Sequence, residues 1–565
     1  MKKILSLLLA LAILILSMAG CGAVSSNAQT AESENARSVQ SETLAAAASE
    51  EETEDEGTAV DLDQLEDDLT ITEEGTYVLS GRLEGQIVID APEDAKVKLI
   101  LDGVSISAEN TAAIYVLEAD KLVIETAAGS ENTVTSSGNF EQTDDNNVDA
   151  AIFSKCDLTL KGEGTLSVNC DSGHGIVSKD DLKVKGGTLV IAAAGQGLSG
   201  KDSVTVEDGA ITIDSGTDGI HSSNAEDTEK GIITVSGGSI KITAGSDGMD
   251  AANTLLVEGG SVSVKAENGK GLKAENSLLI SGGSVNVESF DDALHANDSV
   301  EISGGSVTLA SSDDGIHGDV SVSISGGAVT ISDSYEGIEA QTISISGGEI
   351  RVTAKDDGLN ASSGSSTSTG GFGGFGGGAF ESDSSCTLTI SGGTLIVNAG
   401  GDGLDSNGAI VVTGGESYVS GPTNNGNGAL DYGNSATITG GVVIAAGSSG
   451  MAENFGSAST QGSMLLNFSS AAAAGTTVAV SDASGKVLAS FTPEKSFQSV
   501  VISAPGIEAG QTYTVTVGSS STTVTMNSTI YGSGNGMGMG GMGQGGPGMG
   551  QGGPGMGGGF GGRRP

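Results

Sequence analysis

The sequence predicts an all-β protein, a right-handed, single-stranded parallel β-helix with coils of about 22 residues followed by a small antiparallel β module. Gly-Gly pairs recur every 21 to 23 residues in the central chain, which is the length of one solenoid coil. Between the pairs, apolar and polar residues alternate as they do along a half-buried strand. Glycine at this density would destabilise a helix by about 1 kcal/mol per residue, so a helical repeat is excluded. The pairs begin at Gly237, Gly259, Gly282, Gly304, Gly326 and Gly347.

The composition agrees with a solenoid and narrows the choice of partners. The chain has 565 residues, with 92 glycines, 3% aromatic residues and no tryptophan. Stacked coils that bury small and branched side chains have such a composition, whereas one compact globule does not. The formal net charge of −48 argues against nucleic acid and anionic lipid as partners and favours cations.

The first 21 residues have the pattern of a lipoprotein signal peptide. Lys2 and Lys3 precede an apolar run, and Met18-Ala19-Gly20 stands directly before Cys21. We expect lipidation of Cys21, which would anchor the protein at the extracellular face of the bacterial cell membrane. The alternative is an ordinary signal peptide with an incidental cysteine. No later stretch reaches the roughly 18 apolar residues of a membrane span, so we expect membrane contact only through the lipid.

Shifts in composition divide the rest of the chain. Residues 22–57 read as a disordered acidic linker because they contain almost no large apolar side chain. The β-helix is expected over residues 58–460, with an insertion loop at 362–385. A small β module at 461–530 would cover the exposed edge of the last coil. Residues 531–565 form a Gly/Met-rich tail that is expected to be disordered.

Three cysteines fall within the predicted β-helix. Cys156 and Cys170 lie 14 residues apart, at two ends of one repeat. In an exported protein they could form a disulfide, or they could remain two buried thiols, and the sequence leaves both possibilities open. Cys386 lies many coils from Cys156, beyond the reach of a disulfide.

Each repeat contains a corner tetrad such as Asp314-Gly315-Ile316-His317. Equivalent residues of successive coils stack about 4.8 Å apart, so the first and fourth tetrad positions predict two vertical columns of mainly acidic side chains. Turn formation alone explains an isolated Asp-Gly, but not an acid or imidazole three residues later. Stacked carboxylates repel one another, and Ca²⁺, which takes six to eight oxygen ligands, would neutralise them. The expected ligands are Asp218, Asp247, Asp250, Asp291, Asp292, Asp313, Asp314, Glu336, Glu339, Asp356, Asp357, Asp402 and Asp405.

Catalysis by this surface would need a base. A lyase on a β-helix uses arginine or lysine beside calcium-held substrate, and Lys270 and Lys273 are the best candidates because the predicted fold contains only Arg82 and Arg351. A Gly-His-Gly motif and an Asp-Asp pair also occur, as in polygalacturonase-type hydrolases. Their order is reversed and an Arg-x-Lys motif is missing from the sequence, so we expect no catalytic residues.

Five further motifs carry a family resemblance. They are ITEEGTYVLSG at 71–81, LILDGV at 99–104, AIFSK at 151–155, HGIVSKDDL at 174–182 and SFTPEKSF at 490–497. With the Asp-Asp-Gly-Ile-His coils, these segments resemble a family of clostridial cell-surface carbohydrate-binding β-helix proteins, over roughly residues 58–530. The resemblance implies a pectate-lyase-like fold, bound calcium, and binding of cellulose and acidic plant polysaccharides without established catalysis.

These observations together predict a monomeric, non-catalytic, calcium-dependent polysaccharide-binding surface lipoprotein. Its ligand would be uronate-rich plant polysaccharide, cellulose or both, with Ca²⁺ bridging an anionic protein to an anionic polymer. Lys270, Lys273, His295 and His317 are the expected carbohydrate contacts. The first alternative is a calcium-dependent polysaccharide lyase. The second is a structural or adhesion rod in which calcium only rigidifies the coils.

Overall fold

The computed structural model describes residues 57–66, 68–142, 144–363 and 382–533. The expected signal peptide, nearly all of the acidic linker, most of the insertion loop and nearly all of the tail lie outside the described residues. The described chain is all-β, with 47 strands and one short 3-10 helix at Leu62–Gln64. Within it, no helix is both long enough and apolar enough to cross a membrane.

The N-terminal coils contain long strands that continue around a corner, such as β5, β13 and β15. The first sixteen strands are β1 (Thr58–Asp61), β2 (Leu69–Ile71), β3 (Gly75–Glu84), β4 (Ile87–Asp90), β5 (Lys96–Glu109), β6 (Ile114–Glu118), β7 (Lys121–Thr126), β8 (Glu131–Ser137), β9 (Ala150–Ser154), β10 (Asp157–Gly162), β11 (Thr165–Cys170), β12 (His174–Ser178), β13 (Asp181–Ala193), β14 (Leu198–Gly200), β15 (Ser203–Ser215) and β16 (Ile220–Ser222).

From β16 onward most coils repeat a strand of three residues, one of four and one of six. These strands are β17 (Ile232–Val235), β18 (Ser239–Ala244), β19 (Met249–Ala251), β20 (Thr254–Val257), β21 (Ser261–Ala266), β22 (Leu272–Ala274), β23 (Ser277–Ile280), β24 (Ser284–Ser289), β25 (Leu294–Ala296), β26 (Ser299–Ile302), β27 (Ser306–Ser311), β28 (Ile316–Ile324), β29 (Ala328–Asp333), β30 (Ile338–Ile345), β31 (Glu349–Ala354), β32 (Leu359–Ala361), β33 (Thr387–Ile390), β34 (Thr394–Ala399), β35 (Leu404–Ser406), β36 (Ala409–Val412), β37 (Glu416–Ser420), β38 (Leu430–Tyr432), β39 (Ser435–Ile438) and β40 (Val442–Gly447).

Successive coils stack in parallel register. β19 pairs with β16 and β22, β20 with β17 and β23, and β21 with β18 and β24, so every residue lies over its equivalent in the next coil. The result is a solenoid of roughly 16 turns with coils about 23 residues apart. The predicted fold class is therefore confirmed.

The alternation of residues along each strand determines the core. Val285 and Val287 point inward, with 1% and 2% of their surface exposed, while the residues between and around them face outward. Glycine is required where the chain turns after the four-residue strand. Gly283 has φ +76°, and a Cβ added there would lie 2.7 Å from the carbonyl oxygen of Gly259 in the preceding coil.

Both ends of the solenoid are covered. At the N-terminal end the 3-10 helix buries Leu62 completely against the first coil. At the C-terminal end β44 pairs antiparallel with β40 and with β41, which hides the edge of the last coil. A separate four-stranded antiparallel sheet has the order β43-β42-β45-β46. The remaining strands are β41 (Ser463–Ala472), β42 (Val478–Ser481), β43 (Val487–Phe491), β44 (Phe497–Ser503), β45 (Thr512–Val517), β46 (Ser520–Thr525) and β47 (Ile530–Tyr531).

The cysteines are thiols in the interior. Cys156, Cys170 and Cys386 are buried and free, so of the two possibilities for the first pair the structure has separate thiols. Burial raises the pKa of all three above its ordinary value, because an apolar surrounding disfavours the thiolate.

Candidate functional site

The fourth tetrad residue of each coil occupies the middle of a three-residue strand segment and points outward between two buried neighbours. The backbone register pairs each of these residues with its equivalent in the next coil. They form a continuous column in the order His221, Asp250, Lys273, His295, His317, Glu339, Asn360, Asp405 and Asp431. The first tetrad residues run beside them in the order Asp218, Asp247, Lys270, Asp292, Asp314, Glu336, Asp357 and Asp402. We call the two rows together the charged column.

Two lysines neutralise acids of the neighbouring coils. The Nζ atom of Lys270 lies 2.6 Å from Oδ2 of Asp292 and 3.1 Å from Oδ1 of Asp291 in the next coil. The Nζ atom of Lys273 lies 3.1 Å from Oδ1 of Asp250 in the preceding coil. Burial alone would lower the pKa of both lysines, but the carboxylates outweigh it and raise the pKa. Both side chains are therefore ammonium ions in neutral solution.

Two stacked histidines lie beside the acids of the next coils. The rings of His295 and His317 have centroids 5.1 Å apart. Nδ1 of His295 lies 2.9 Å from Oδ2 of Asp292, and Nδ1 of His317 lies 2.9 Å from Oδ2 of Asp314. Nε2 of His317 faces Asp319 at 3.2 Å, so both ring nitrogens meet carboxylates. Burial opposes the charge, but these acids raise the pKa of His317 to about 9, which makes it an imidazolium.

The cations of the column end at His317. Its Nδ1 lies 3.6 Å from Oε2 of Glu339, the last ion pair of the column among the described residues. Beyond it, the described residues place no lysine, arginine or histidine within 4 Å of the carboxylates of Asp357, Asp402, Asp405 or Asp431. We call the residues Glu336, Glu339, Asp357, Asp402, Asp405, Asp431 and Glu453 the acidic end of the column.

Burial and mutual repulsion make ionisation of the acidic end costly. They raise the pKa of Glu336 to about 8, of Asp402 to about 7 and of Asp405 to about 9. In each case burial is the larger cause and the neighbouring acids add to it. The pKa of Glu453, beyond the last tetrad, rises to about 7 for the same reasons. A cation bound here would favour the ionised forms and remove this cost.

Several groups of side chains beside the lysine and histidines of the column could hold a metal ion. Among the described residues, four sets of three ligand atoms lie within 4.8 Å of one another. Three sets include a histidine that already contacts a carboxylate, and the ammonium of Lys270 contacts two members of the fourth. The sets are Asp292/His295/His317, Asp218/His221/Asp250, Asp314/His317/Glu339 and Asp291/Asp292/Asp313. A metal ion in these sets would compete with the protein's own cations.

The acidic end has oxygen donors without partners. Oδ1 of Asn360 and Oε2 of Glu453 are buried and accept no hydrogen bond. The Nδ2 atom of Asn360 donates to Oε2 of Glu336 over 2.9 Å, which directs the amide oxygen away from that carboxylate. Carboxylate and amide oxygens are hard ligands suited to Ca²⁺. The oxygen donors of the acidic end are therefore of the type that calcium prefers, although none of the four close sets lies wholly within it.

Two open cavities lie along the charged column. The first, about 490 Å³, is bounded by the loop between β16 and β17, and is lined by His221, Asp250, Glu275 and the amide side chains of Asn253 and Asn276. The second, about 390 Å³, is lined by His317, Asp319, Glu339, Ser362 and Ser363. Each is lined by several polar side chains that could form hydrogen bonds with a hydroxyl-rich ligand.

The remaining predicted residues flank the column or lie elsewhere. Asp313 is exposed, and Asp291 and Asp356 are partly exposed in the turn before the tetrad. Arg351 lies on β31, on the face formed by the six-residue strands, and not beside Lys270. Sequence reasoning missed Asp431 and Glu453. The tetrad of Asp431 begins with Gly428, so the acid at its fourth position was the only available signal.

Comparisons with known proteins found one family model, one relative and one solved structure that are similar to this chain. The sequence model of the family described as carbohydrate-binding domain-containing protein matches residues 65–315. A protein of that description from Acetivibrio thermocellus is 38% identical over 135 residues, which are 23% of this chain and 47% of the relative, so the match spans about half of that protein's length. The solved structure of a polysaccharide lyase-like protein from C. thermocellum, in a gadolinium derivative, is 34% identical. It covers 40% of this chain and 92% of its own, with a TM-score of 0.34.

The matched segment begins just after the N-terminal 3-10 helix and ends just after Asp314, so it contains both lysines of the charged column and two of its three histidines, His221 and His295. The acidic end lies beyond it, in coils that continue the same register. The family model thus matches the solenoid over residues 65–315.

Proposed function

We propose that the protein is a non-catalytic, calcium-dependent polysaccharide-binding lipoprotein at the extracellular face of the bacterial membrane. The observation that carries the proposal is the acidic end of the charged column. There, partly buried carboxylates continue the solenoid, and beyond Glu339, which contacts His317, the described residues place no positive side chain within 4 Å of Asp357, Asp402, Asp405 or Asp431. A uronate-rich polysaccharide is itself anionic, so a divalent cation is needed between the two surfaces.

Calcium would be held between the two rows of the acidic end. Glu339, Asn360 and Asp405 follow one another in the outward row, so ligands from neighbouring coils are about 4.8 Å apart. This spacing lets one ion take oxygens from two coils and leaves further coordination positions for a ligand. Bound calcium would supply the positive charge that joins protein carboxylates to sugar carboxylates.

The carbohydrate would lie along the charged column. Side chains of Lys270, Lys273, His295 and His317 are 12% to 24% exposed, so their polar tips reach solvent while their charges are shared with acids. Such groups donate hydrogen bonds to sugar hydroxyls without presenting an isolated positive charge. We therefore assign them to orientation of the glycan and calcium to retention of uronates.

The electrostatics support binding without catalysis. A lyase base must lose its proton near neutral pH, but the pKa of Lys270 and of Lys273 is raised by adjacent carboxylates. Arg351 lies on another face. The expected lyase residues are thus not assembled into a base beside the acidic end.

The experiment is a pull-down with the full mature chain carrying Cys21→Ser, which removes the lipid acceptor. Polygalacturonate and cellulose beads are compared in Ca²⁺ and in EGTA, and the supernatant is read for new double-bond absorbance. Retention on polygalacturonate that EGTA abolishes, without absorbance, is expected. Asp402→Asn with Asp405→Asn should weaken retention, whereas Asp298→Asn, on an exposed turn, should not.

The other outcomes identify the alternatives. A rise in absorbance would establish a lyase. Calcium-dependent melting without retention on either glycan would leave a structural rod. The lipid anchor is tested separately: palmitate labelling of the wild-type chain is expected, and its persistence in the Cys21→Ser variant would refute lipidation at this residue.

A further inference from the structure

Two exposed aromatic rings flank the charged column. Among the described residues five large hydrophobic side chains are exposed, and two of them are aromatic, Phe290 at 61% and Tyr335 at 48%. Neither ring belongs to the apolar clusters that build the core. The fold therefore does not use them for packing, in a chain that has no tryptophan and only 3% aromatic residues.

Both rings stand in the turn directly before a corner tetrad. Phe290 precedes Asp291 and Asp292, and Tyr335 precedes Glu336. Equivalent turns of other coils contain small or polar residues, such as Ser312 and Gly400. The aromatic residues are thus not required by the turn, because the same bend forms without them.

The coil register gives the separation of the two backbone positions along the solenoid axis, although Phe290 lies two residues before its tetrad and Tyr335 one. Ser289, before Phe290, pairs with Ser311 in the next coil. The backbone N–H of Tyr335 then donates to the carbonyl oxygen of Asp313, 2.8 Å away, which places Tyr335 one coil further. Two coils correspond to about 10 Å along the axis.

Polar groups surround each ring on the side of the column. The carboxylate of Asp291, next to Phe290, is held by the ammonium of Lys270 at 3.1 Å. The phenol of Tyr335 faces Asp356, which raises its pKa. Each site thus combines an apolar ring face with charged hydrogen-bonding groups beside it, the combination that fits a sugar ring with an apolar C–H face and a hydroxylated rim.

We propose that Phe290 and Tyr335 are a stacking platform for two sugar rings of one glycan chain that lies along the solenoid axis. The inference rests on the proposed polysaccharide-binding function and adds a contact that does not need calcium. In an extended β-1,4-linked chain every second ring presents the same face, and the disaccharide length matches the separation of two coils. The platform therefore selects a chain of this linkage, and the one ring between the two aromatics would lie over the intermediate coil, near Ser312 and Asp313.

The test uses the full mature chain carrying Cys21→Ser and two ligands. Cellohexaose, a neutral β-1,4-linked glucan, reports the platform in EGTA, and polygalacturonate in Ca²⁺ reports the proposed function. Phe290→Ala and Tyr335→Ala should each weaken cellohexaose binding about fivefold, and together about 25-fold, because distant sites add. Val487→Ala, which removes an exposed side chain of the C-terminal sheet, is the matched control and should bind like the wild type.

A direct readout follows from the absence of tryptophan. Phe290→Trp introduces a single indole, whose emission should shift to the blue when cellohexaose covers it. Wild-type retention on polygalacturonate together with unchanged cellohexaose affinity in both alanine variants would overturn the platform and leave the proposed function intact. Failure of the wild type to bind either ligand would overturn both. A loss of self-association in sedimentation, without loss of sugar affinity, would assign the rings to a second copy of the chain and overturn the proposal.

Discussion

Replacement of Asp405 by asparagine measures how much the ionisation of one carboxyl group at the acidic end destabilises the folded protein. Asp405 lies between Asn360 and Asp431 in the outward row, so an asparagine is already accommodated one coil away. Its pKa is raised to about 9 by burial first and then by Asp402, Asp431 and Asp357. Without a cation, the folded protein must hold a proton on Asp405 that the unfolded chain releases above its ordinary pKa of about 3.9.

The sign and size of the effect follow from this difference. A carboxyl group whose pKa is raised by folding contributes its full stability below about pH 4, and the contribution is lost as the pH rises toward about 9. Each pH unit in that window costs about 1.4 kcal/mol, so between pH 5 and pH 8 the upper bound is about 4 kcal/mol. Relaxation and water penetration reduce it, and we expect about 2 kcal/mol. Asparagine does not titrate and escapes this loss.

The assay is thermal and urea unfolding of wild type, Asp405→Asn and the control Asp298→Asn, at pH 5 and pH 8, in EGTA and in Ca²⁺. In EGTA the Asp405→Asn variant should gain about 2 kcal/mol over wild type on going from pH 5 to pH 8, and Asp298→Asn should gain nothing. In Ca²⁺ the wild type should be stabilised more than Asp405→Asn. Equal pH dependence of both proteins in EGTA, or an equal calcium effect, would refute the assignment of unneutralised charge to this residue.

Three further results are expected. Lys270→Met should destabilise the calcium-free protein by about 3 kcal/mol, because it leaves the buried Asp292 carboxylate without its ammonium; urea unfolding measures this, and a neutral effect would contradict the pairing. Gly283→Ala should cost about 2 kcal/mol or more by the same measurement, since its Cβ would meet a carbonyl oxygen, whereas Gly485→Ala, with open space around it, should cost about 1 kcal/mol. The three buried cysteines should react with a thiol reagent only after unfolding, so rapid labelling of the native protein would contradict their burial.

The solenoid could be predicted because its turns, strands and corner tetrads all recur with the period of one coil. Each Gly-Gly pair, each alternating strand and each tetrad recur with one period, and parallel stacking converts equal sequence spacing into vertical alignment. The contact of His295 with His317 could therefore be inferred from their separation of 22 residues, and the register confirms it. The antiparallel sheet at the C-terminus was foreseen as a cover, but the pairing of β44 with β40 depends on contacts distant in sequence.

Charge pairing could not be predicted in the same way. The side chain of Lys270 can reach acids of either neighbouring coil, and the structure places its Nζ at Asp292 rather than at the Asp247 carboxylate. The exposure of Phe290 and Tyr335 could not be predicted either. Along a strand, inward and outward side chains alternate, but a turn has no such pattern to show which way a side chain points. The sequence thus predicted which residues share the column. Which carboxylates lack a positively charged neighbour depends on side-chain rotamers and distances, which only the structure gives.

Each coil contributes one residue to each row of the charged column. The charges therefore follow one another along the solenoid axis in the same order as in the sequence. In a solenoid each coil contacts only its neighbours, so charge must be balanced within one or two coils. Lysine and histidine side chains contact several of the acids between His221 and His317, whereas the carboxylates from Asp357 to Glu453 depend on protons or on an added cation. Calcium dependence should consequently be a property of the acidic end alone. The proposed stacking of sugars on Phe290, where Lys270 already contacts Asp291, should need no added ion.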